Sequence, residues 1–286
     1  FPYTTLFRSG ITLIPLPGNF KGEPELWTPL IPKDADIIHL QYNHTPNIDI
    51  PTINTIHGNG KIGEKFSKNT LFVGKKHAEI HGSDQYIHNA IDLKEFPYIS
   101  RKSKSWDNFM FLAKGSWSVK NLKHCVKAAK ASKKYLHIAG GKSLWPSKYI
   151  HNYGIIGGEE KMEVFTKCDA FLFPVRWPEP FGIAMIEAMS QGLPVIGSKH
   201  GSLPELITAE VGILCDNYDQ FLEALKLPVN KFNPDIIRKY VEDNFGVEKY
   251  TDSYLNVYKR VIAGEILNEE EPTLQLAQKA ETLLSF

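Results

Sequence analysis

From Gly10 onward, short apolar runs alternate with loops: ITLIPLP (11–17), ADIIHLQY (35–42), PTINTIHG (51–58) and NTLFVGKK (69–76). Each is rich in β-branched or aromatic residues and punctuated by Gly, Pro or Asn, the pattern of a buried strand. A second stretch, DQYIHNAIDLKEF (84–96), leads into PYISRKSKSWDN (97–108), which is polar, basic and without periodicity and reads as a linker. Beyond it the alternation resumes with longer helical pieces. Strands are expected at 109–115, 134–141, 169–175 and 194–198, and helices at 121–132, 159–168, 181–192 and 218–226. Strands alternating with helices of this length imply parallel βαβ units and a doubly wound sheet. Two such blocks joined by a linker imply two Rossmann-like domains, and the C-terminal stretches 233–245, 247–267 and 273–286 carry apolar residues at helical spacing.

Composition narrows the class. The 286 residues are 42% hydrophobic, enough for one large core or two modest ones. Lys plus Arg total 33 against 32 Asp plus Glu, so no basic stripe points to nucleic acid as a partner. The clearest basic cluster, Lys61, Lys65, Lys68, Lys75 and Lys76, reads as a solvated face rather than a lipid site. Cys125, Cys168 and Cys215 are far apart and form no ligand spacing, which suits a reducing compartment. No apolar run is long enough to span a bilayer. The expected location is cytoplasmic, with at most peripheral contact at the inner face of the membrane. The first nine residues, FPYTTLFRS, back-translate as a common sequencing-library adapter, so residues 1–9 are read as an artefact and natural sequence is expected upstream of Gly10.

The candidate chemistry lies in RWPEPFGIAMIEAMSQGLPVIGS (176–198). In a doubly wound domain ligands bind beyond the carboxyl ends of the strands, where the next helices begin. The strand at 169–175 runs into the loop RWPEP, which places Glu179 at that mouth. Pro178 and Pro180 restrict its backbone, and Gly182 lets a ligand approach the free N–H groups of the first helical turn. Glu187 follows about a turn and a half later. Two carboxylates beside a phosphate site need donors of their own, and sugar hydroxyls supply them. The pocket outlines a nucleotide-diphosphate sugar, with a hexose at Glu179 and a ribose at Glu187.

The segment EPFGIAMIEAM resembles the E-x7-E signature of the retaining family 4 (group 1) glycosyltransferases, and its neighbours keep step: FLAKGSWSVKN (111–121), YLHIAGG (135–141), KCDAFLFPV (167–175), GSKHGSLPELI (197–207) and VGIL (211–214). YIHNAIDLKEF (86–96) and PTINTIHG (51–58) are similar to that family's hinge-side and first-domain segments. The resemblance spans roughly residues 35–260 and is closest in the second half. It implies a GT-B fold, two Rossmann-like doubly wound domains facing a central cleft. The domains are expected at 10–100 (acceptor side, shorter than the family usually has) and 101–262 (donor side), with a helical tail at 263–286.

The resemblance also implies roles. Glu179 contacts the transferred sugar and Glu187 the ribose, while Phe181, Gly182 and Ile183 hold sugar and diphosphate. Lys120 neutralises the leaving diphosphate. Lys114 stands where the family has Arg, one residue out of the usual spacing, and an ammonium lacks the Arg fork. His57 lies near the donor sugar. The implied reaction moves a hexose to an acceptor hydroxyl with retention and without metal or cofactor. The acceptor is a lipid-linked or other saccharide, or a small molecule.

Competing motifs carry less. Asp34-Ala35-Asp36 mimics a metal-binding DxD but only precedes an apolar strand, and no metal-ligand spacing appears among the histidines. GGKS (140–143) lacks the earlier P-loop glycine, because position 136 is Leu. The alternative functions are a donor-binding but inactive or incomplete GT-B domain, and a sugar-nucleotide epimerase.

Overall fold

The structure, a computed structural model, describes residues 27–98, 100, 105–143, 146–228 and 230–286. The expected strand at 11–17 and the adapter-like segment 1–9 lie outside the described residues. The chain divides into two compact units, one holding the residues up to His88 with Val247–Gln275, the other Asn89–Gly246 with Leu276–Phe286.

The first unit carries a parallel sheet in the order β1 (Ile38–Leu40), β2 (Thr52–Ile56), β3 (Thr70–Phe72). Lys75 and Lys76, expected to extend β3, instead begin α1 (Lys75–Glu79). Ile53 and Leu71 pack against Tyr254, Val257 and Val261 of α8 (Val247–Ile262). Those residues recur every three or four positions and form the single apolar stripe of that helix.

The second unit is a six-stranded parallel sheet in the order β6 (Ile150–Gly154), β5 (Tyr135–Ala139), β4 (Asn108–Leu112), β7 (Ala170–Phe173), β8 (Val195–Ser198), β9 (Gly212–Cys215). Phe109 and Phe111 of β4 enter a core with α2 (Leu122–Ser132) and α6 (Tyr218–Ala224). Met110 between them points to the opposite face, as strand alternation requires. The remaining helices are α3 (Gly158–Lys167), α4 (Ile183–Ser190), α5 (Leu203–Leu206) and α7 (Pro234–Phe245), with α4 packed on α7. This is the doubly wound order, and its direction reverses between β4 and β7. The loops after those two strands therefore flank the switch point where such sheets take ligands.

Two expectations are corrected. Residues 89–100 group with the second unit, while α8 groups with the first, so the donor-side domain does not run 101–262. An amphipathic stripe shows that a helix is covered, not by what. The segment 263–286 contains no helix. Its backbone groups are taken by tertiary partners instead: Thr273 N–H donates to His81 O (2.9 Å), Gln275 N–H to Ile80 O (2.7 Å), and Leu284 N–H to Arg176 O (2.9 Å). A chain whose N–H groups are committed outward cannot close i to i−4 bonds.

Candidate active site

Lys120 and Glu179 come from the two switch-point loops and meet. Lys120 ends a single 3-10 turn, Ser118–Lys120, after β4. Asn121 follows with φ 62°, and its side-chain amide donates to Pro174 O at 2.8 Å, tying the β4 loop to the end of β7. Arg176 N–H donates to Val119 O at 2.7 Å and completes the clamp. Across it, Lys120 Nζ lies 2.6 Å from Glu179 Oε2, with side-chain exposures of 13% and 6%. The ammonium also sits 4.8 Å from the Trp177 ring centroid and 5.5 Å from that of Phe173. The Trp177 indole N–H donates to the same Oε2 at 2.6 Å. Removing one partner of so buried a pair strands the other charge, at a cost of about 3–5 kcal/mol.

The backbone around Glu179 depends on two glycines. Gly201 has φ 62°, and a Cβ there would stand 2.1 Å from Glu179 N and 2.3 Å from its O. Ser202 reinforces this approach, its N–H donating to Glu179 O (2.9 Å) and its hydroxyl to Pro180 O (2.8 Å). Gly182 is the N-cap of α4 at φ 94°, with a notional Cβ 2.8 Å from the Phe173 ring. The helix thus starts at Ile183, two residues beyond the Phe181 expected from sequence. Phe181 is buried edge-on against Phe245, 5.8 Å between centroids.

Glu187 lies on α4 and pairs with Lys161 of α3, Oε2 to Nζ 2.9 Å, both side chains 17% exposed. Lys161 also lies over the Phe96 ring at 5.2 Å. Lys114 is exposed and extends over the Trp117 ring at 5.4 Å. The structure brings it to neither carboxylate. A cavity of about 630 Å³ opens beside the same loop, lined by Gly115, Trp117, Gly141, Ser143, Arg176 and Leu283. Lys120, Glu179 and Glu187 are not among its lining residues.

In the first unit His57 follows β2 directly. Its Nε2 donates to Gln41 Oε1 at 2.7 Å, and Gln41 Nε2 donates to His39 Nε2 at 3.1 Å. His39 Nε2 also lies 2.7 Å from Thr55 Oγ1, which is 2.9 Å from the Tyr254 hydroxyl, and His39 Nδ1 is 2.8 Å from the Tyr258 hydroxyl. A neutral His39 with its proton on Nδ1 donates to the Tyr258 hydroxyl and leaves its one Nε2 lone pair shared between Thr55 Oγ1–H and the Gln41 amide. Burial, aided by repulsion from His57, lowers its pKa to about 4. His57 is exposed as a residue, yet desolvation by the surrounding chain lowers its pKa.

Trp177, Lys161, Gly201 and Gln41 were not singled out from sequence. Only Trp177 left a local signal, an indole two residues from the signature carboxylate. The others are assembled by distant segments. Among the described residues no group of three or more His, Cys, Asp or Glu is arranged to hold a metal ion, and no helix is long and apolar enough to cross a membrane.

The doubly wound sheet carries a buried cation–carboxylate pair at its switch point, and comparison with solved structures defines the class as the GT-B glycosyltransferase fold. The glycosyltransferase AviGT4, involved in avilamycin A biosynthesis, superposes with a TM-score of 0.71 at 22% identity over 90% of this chain and 82% of its own. Anabaena HepE, solved in complex with UDP-glucose, gives a TM-score of 0.59 at 14% identity over 73% and 72%. Residues 100–232 match the family described as glycosyl transferases group 1. An uncharacterized glycosyltransferase of Methanocaldococcus jannaschii is 30% identical over 119 residues, 37% of this chain and 29% of that protein. The first three curated relatives are matched over only 29 to 35% of their lengths.

Proposed function

We propose that the chain is a metal-independent hexosyltransferase that moves a sugar from a nucleotide-diphosphate donor to an acceptor hydroxyl with retention of configuration. The observation that carries this reading is the Lys120–Glu179 pair, 2.6 Å apart at the switch point of the sheet. Lys120 supplies a positive charge for the departing diphosphate, the electrostatic contribution such a reaction most needs. Glu179 accepts hydrogen bonds from the transferred sugar, and Gly182 opens the start of α4 to it. Glu187 accepts from the ribose diol when the nucleotide displaces Lys161. In this reading Phe181 holds the glycine turn by anchoring on Phe245, Ile183 supplies the first α4 turn, and Lys114 has no assigned contact. His57 is proposed as a neutral hydrogen-bonding group for a sugar hydroxyl through Nδ1, because Gln41 engages Nε2.

HepE, of the same fold, was solved with UDP-glucose, which makes that compound the first donor to test. Calorimetry with UDP-glucose and GDP-mannose in EDTA, followed by assay of donor hydrolysis and anomeric analysis by NMR, tests the reading. Binding with release of the α-sugar supports it. Binding without turnover supports the inactive-domain alternative, and turnover only after metal addition contradicts metal independence.

A further inference from the structure

We propose that Trp177 is the positioning residue that orients the Glu179 carboxylate, committing Oε2 to the protein and leaving Oε1 for a ligand hydroxyl. This deepens the nucleotide-sugar reading above and rests on it for the identity of the ligand, though not for the geometry. Both donors that reach Glu179, Lys120 Nζ and Trp177 Nε1–H, fall on Oε2, each at 2.6 Å. A carboxylate oxygen has about two acceptor sites, so Oε2 is filled. Oε1 has no donor among the described residues.

Lys120 alone cannot make that distinction. Its ammonium is a point charge on a flexible stem with three rotatable donors, able to follow the carboxylate through rotation about its last bond. The indole N–H is fixed to a rigid ring that is 8% exposed and packed edge-on against Trp117, 6.0 Å between centroids at 71°. A single directional donor on a ring that cannot turn breaks the two-fold symmetry of the carboxylate. The face of the same ring holds the Lys120 ammonium at 4.8 Å, with Phe173 beside it. One side chain thereby sets where the negative charge points and where the positive charge sits.

Trp177→Phe keeps an aromatic face but removes the N–H, along with part of the ring volume. In the full chain, with UDP-glucose as donor, the expected result is a tenfold or greater loss of kcat, with KM and the Kd for UDP within about threefold of the original, the scale of one charge-assisted hydrogen bond. Trp177→Leu, which removes the face as well, should lower kcat further. A purely packing role predicts the opposite pattern, a loss of thermal stability in both variants with kcat of the folded Trp177→Phe protein near wild type, and that result would overturn the proposal.

A ligand-free readout separates this inference from the functional reading. The indole N–H resonance that disappears in Trp177→Phe should lie downfield and exchange slowly, then move upfield in Glu179→Gln, where the acceptor loses its charge. A resonance at the free-indole position, unmoved by Glu179→Gln, would sink the inference whatever the activity. If the resonance behaves as expected while no nucleotide sugar binds the wild-type chain, the functional reading fails and the positioning of Glu179 stands.

Discussion

The switch point of the second unit and the histidine network of the first hold their buried polar groups in opposite ways. In the second, the interior polar groups at the switch point are charged and paired, Lys120 with Glu179 and Lys161 with Glu187. In the first, they are neutral imidazoles and hydroxyls: His39 linked to Thr55, Tyr258 and Gln41, and His77 and His81 holding the loop after β2. The His77 ring lies 3.1 Å from Gly58 O through Nε2, and His81 Nε2 accepts from Gly60 N–H at 3.0 Å. Burial lowers the His77 pKa to about 3 and lowers that of His81. In the proposed reading a charged pair suits a site for a dianionic group, because the cation can exchange partners without being created. A neutral network suits a scaffold that presents one side chain, His57, in one tautomer.

The sharpest break in that comparison is Lys120→Ala. Loss of the cation facing a departing phosphate should lower donor turnover by about 10²–10³, or roughly 2.7–4 kcal/mol if it resembles loss of an oxyanion donor. Steady-state assay with UDP-glucose measures it, and full activity in the variant would remove Lys120 from the reaction. Next in size is Glu187→Ala, expected to weaken UDP binding by about 1.5–3 kcal/mol, the range for hydrogen bonds to a charged group, while Glu179→Ala mainly lowers turnover. Equal effects of the two on calorimetric Kd would contradict the division of roles.

The neutral network titrates. The folded pKa of His77 and His39 lies below the ordinary value near 6.5, so the unfolded chain binds more protons between those values and stability falls as pH drops through that window. Each contributes a slope of up to about 1.4 kcal/mol per pH unit, from 6.5 down to about 3 for His77 and about 4 for His39. Urea denaturation from pH 7 to pH 4 should show this loss, and replacement of His77 by Gln should flatten it. The smallest effect is expected for Gln41→Ala, which frees His57 Nε2 at a cost of about 0.5–1.5 kcal/mol in turnover. A change in the pH profile of kcat, rather than in thermal stability, distinguishes tautomer control from packing.

What could be read from sequence divides along the same line. Strands β4, β5, β7 and β8 and most helices of the second unit were legible as local apolar patterns, whereas β6, with its exposed His151 and Asn152, was not expected and β9 was reached only through the resemblance. Glu179 and Glu187 were legible because the signature lies within one strand–loop–helix. Their cations were less so. Lys120 was reached by resemblance, and Lys161 was missed because β7 and its loop separate α3 from α4 in sequence, so nothing local pairs Lys161 with Glu187. Gly201 reads as an ordinary turn glycine until folding lays it against the Glu179 backbone. In the first unit α8 was expected as a helix, but nothing in its stripe assigns it to β2 and β3 across the intervening chain. The tail at 273–286 has helical spacing and no helix, since Leu284 pairs with Arg176 and the Phe286 ring packs at 5.7 Å from that of Phe221. The tail so anchors the residue that opens the RWPEP loop.

Titration calorimetry of UDP and UDP-glucose into the wild-type chain and its Glu187→Ala variant, with EDTA throughout, tests the central claim most directly. Saturable binding of both compounds by the wild type, weakened tenfold or more in the variant, is the result expected of a metal-independent nucleotide-sugar site built on the two carboxylates. Binding of equal strength in both proteins, or binding that appears only when EDTA is replaced by a divalent cation, would contradict it.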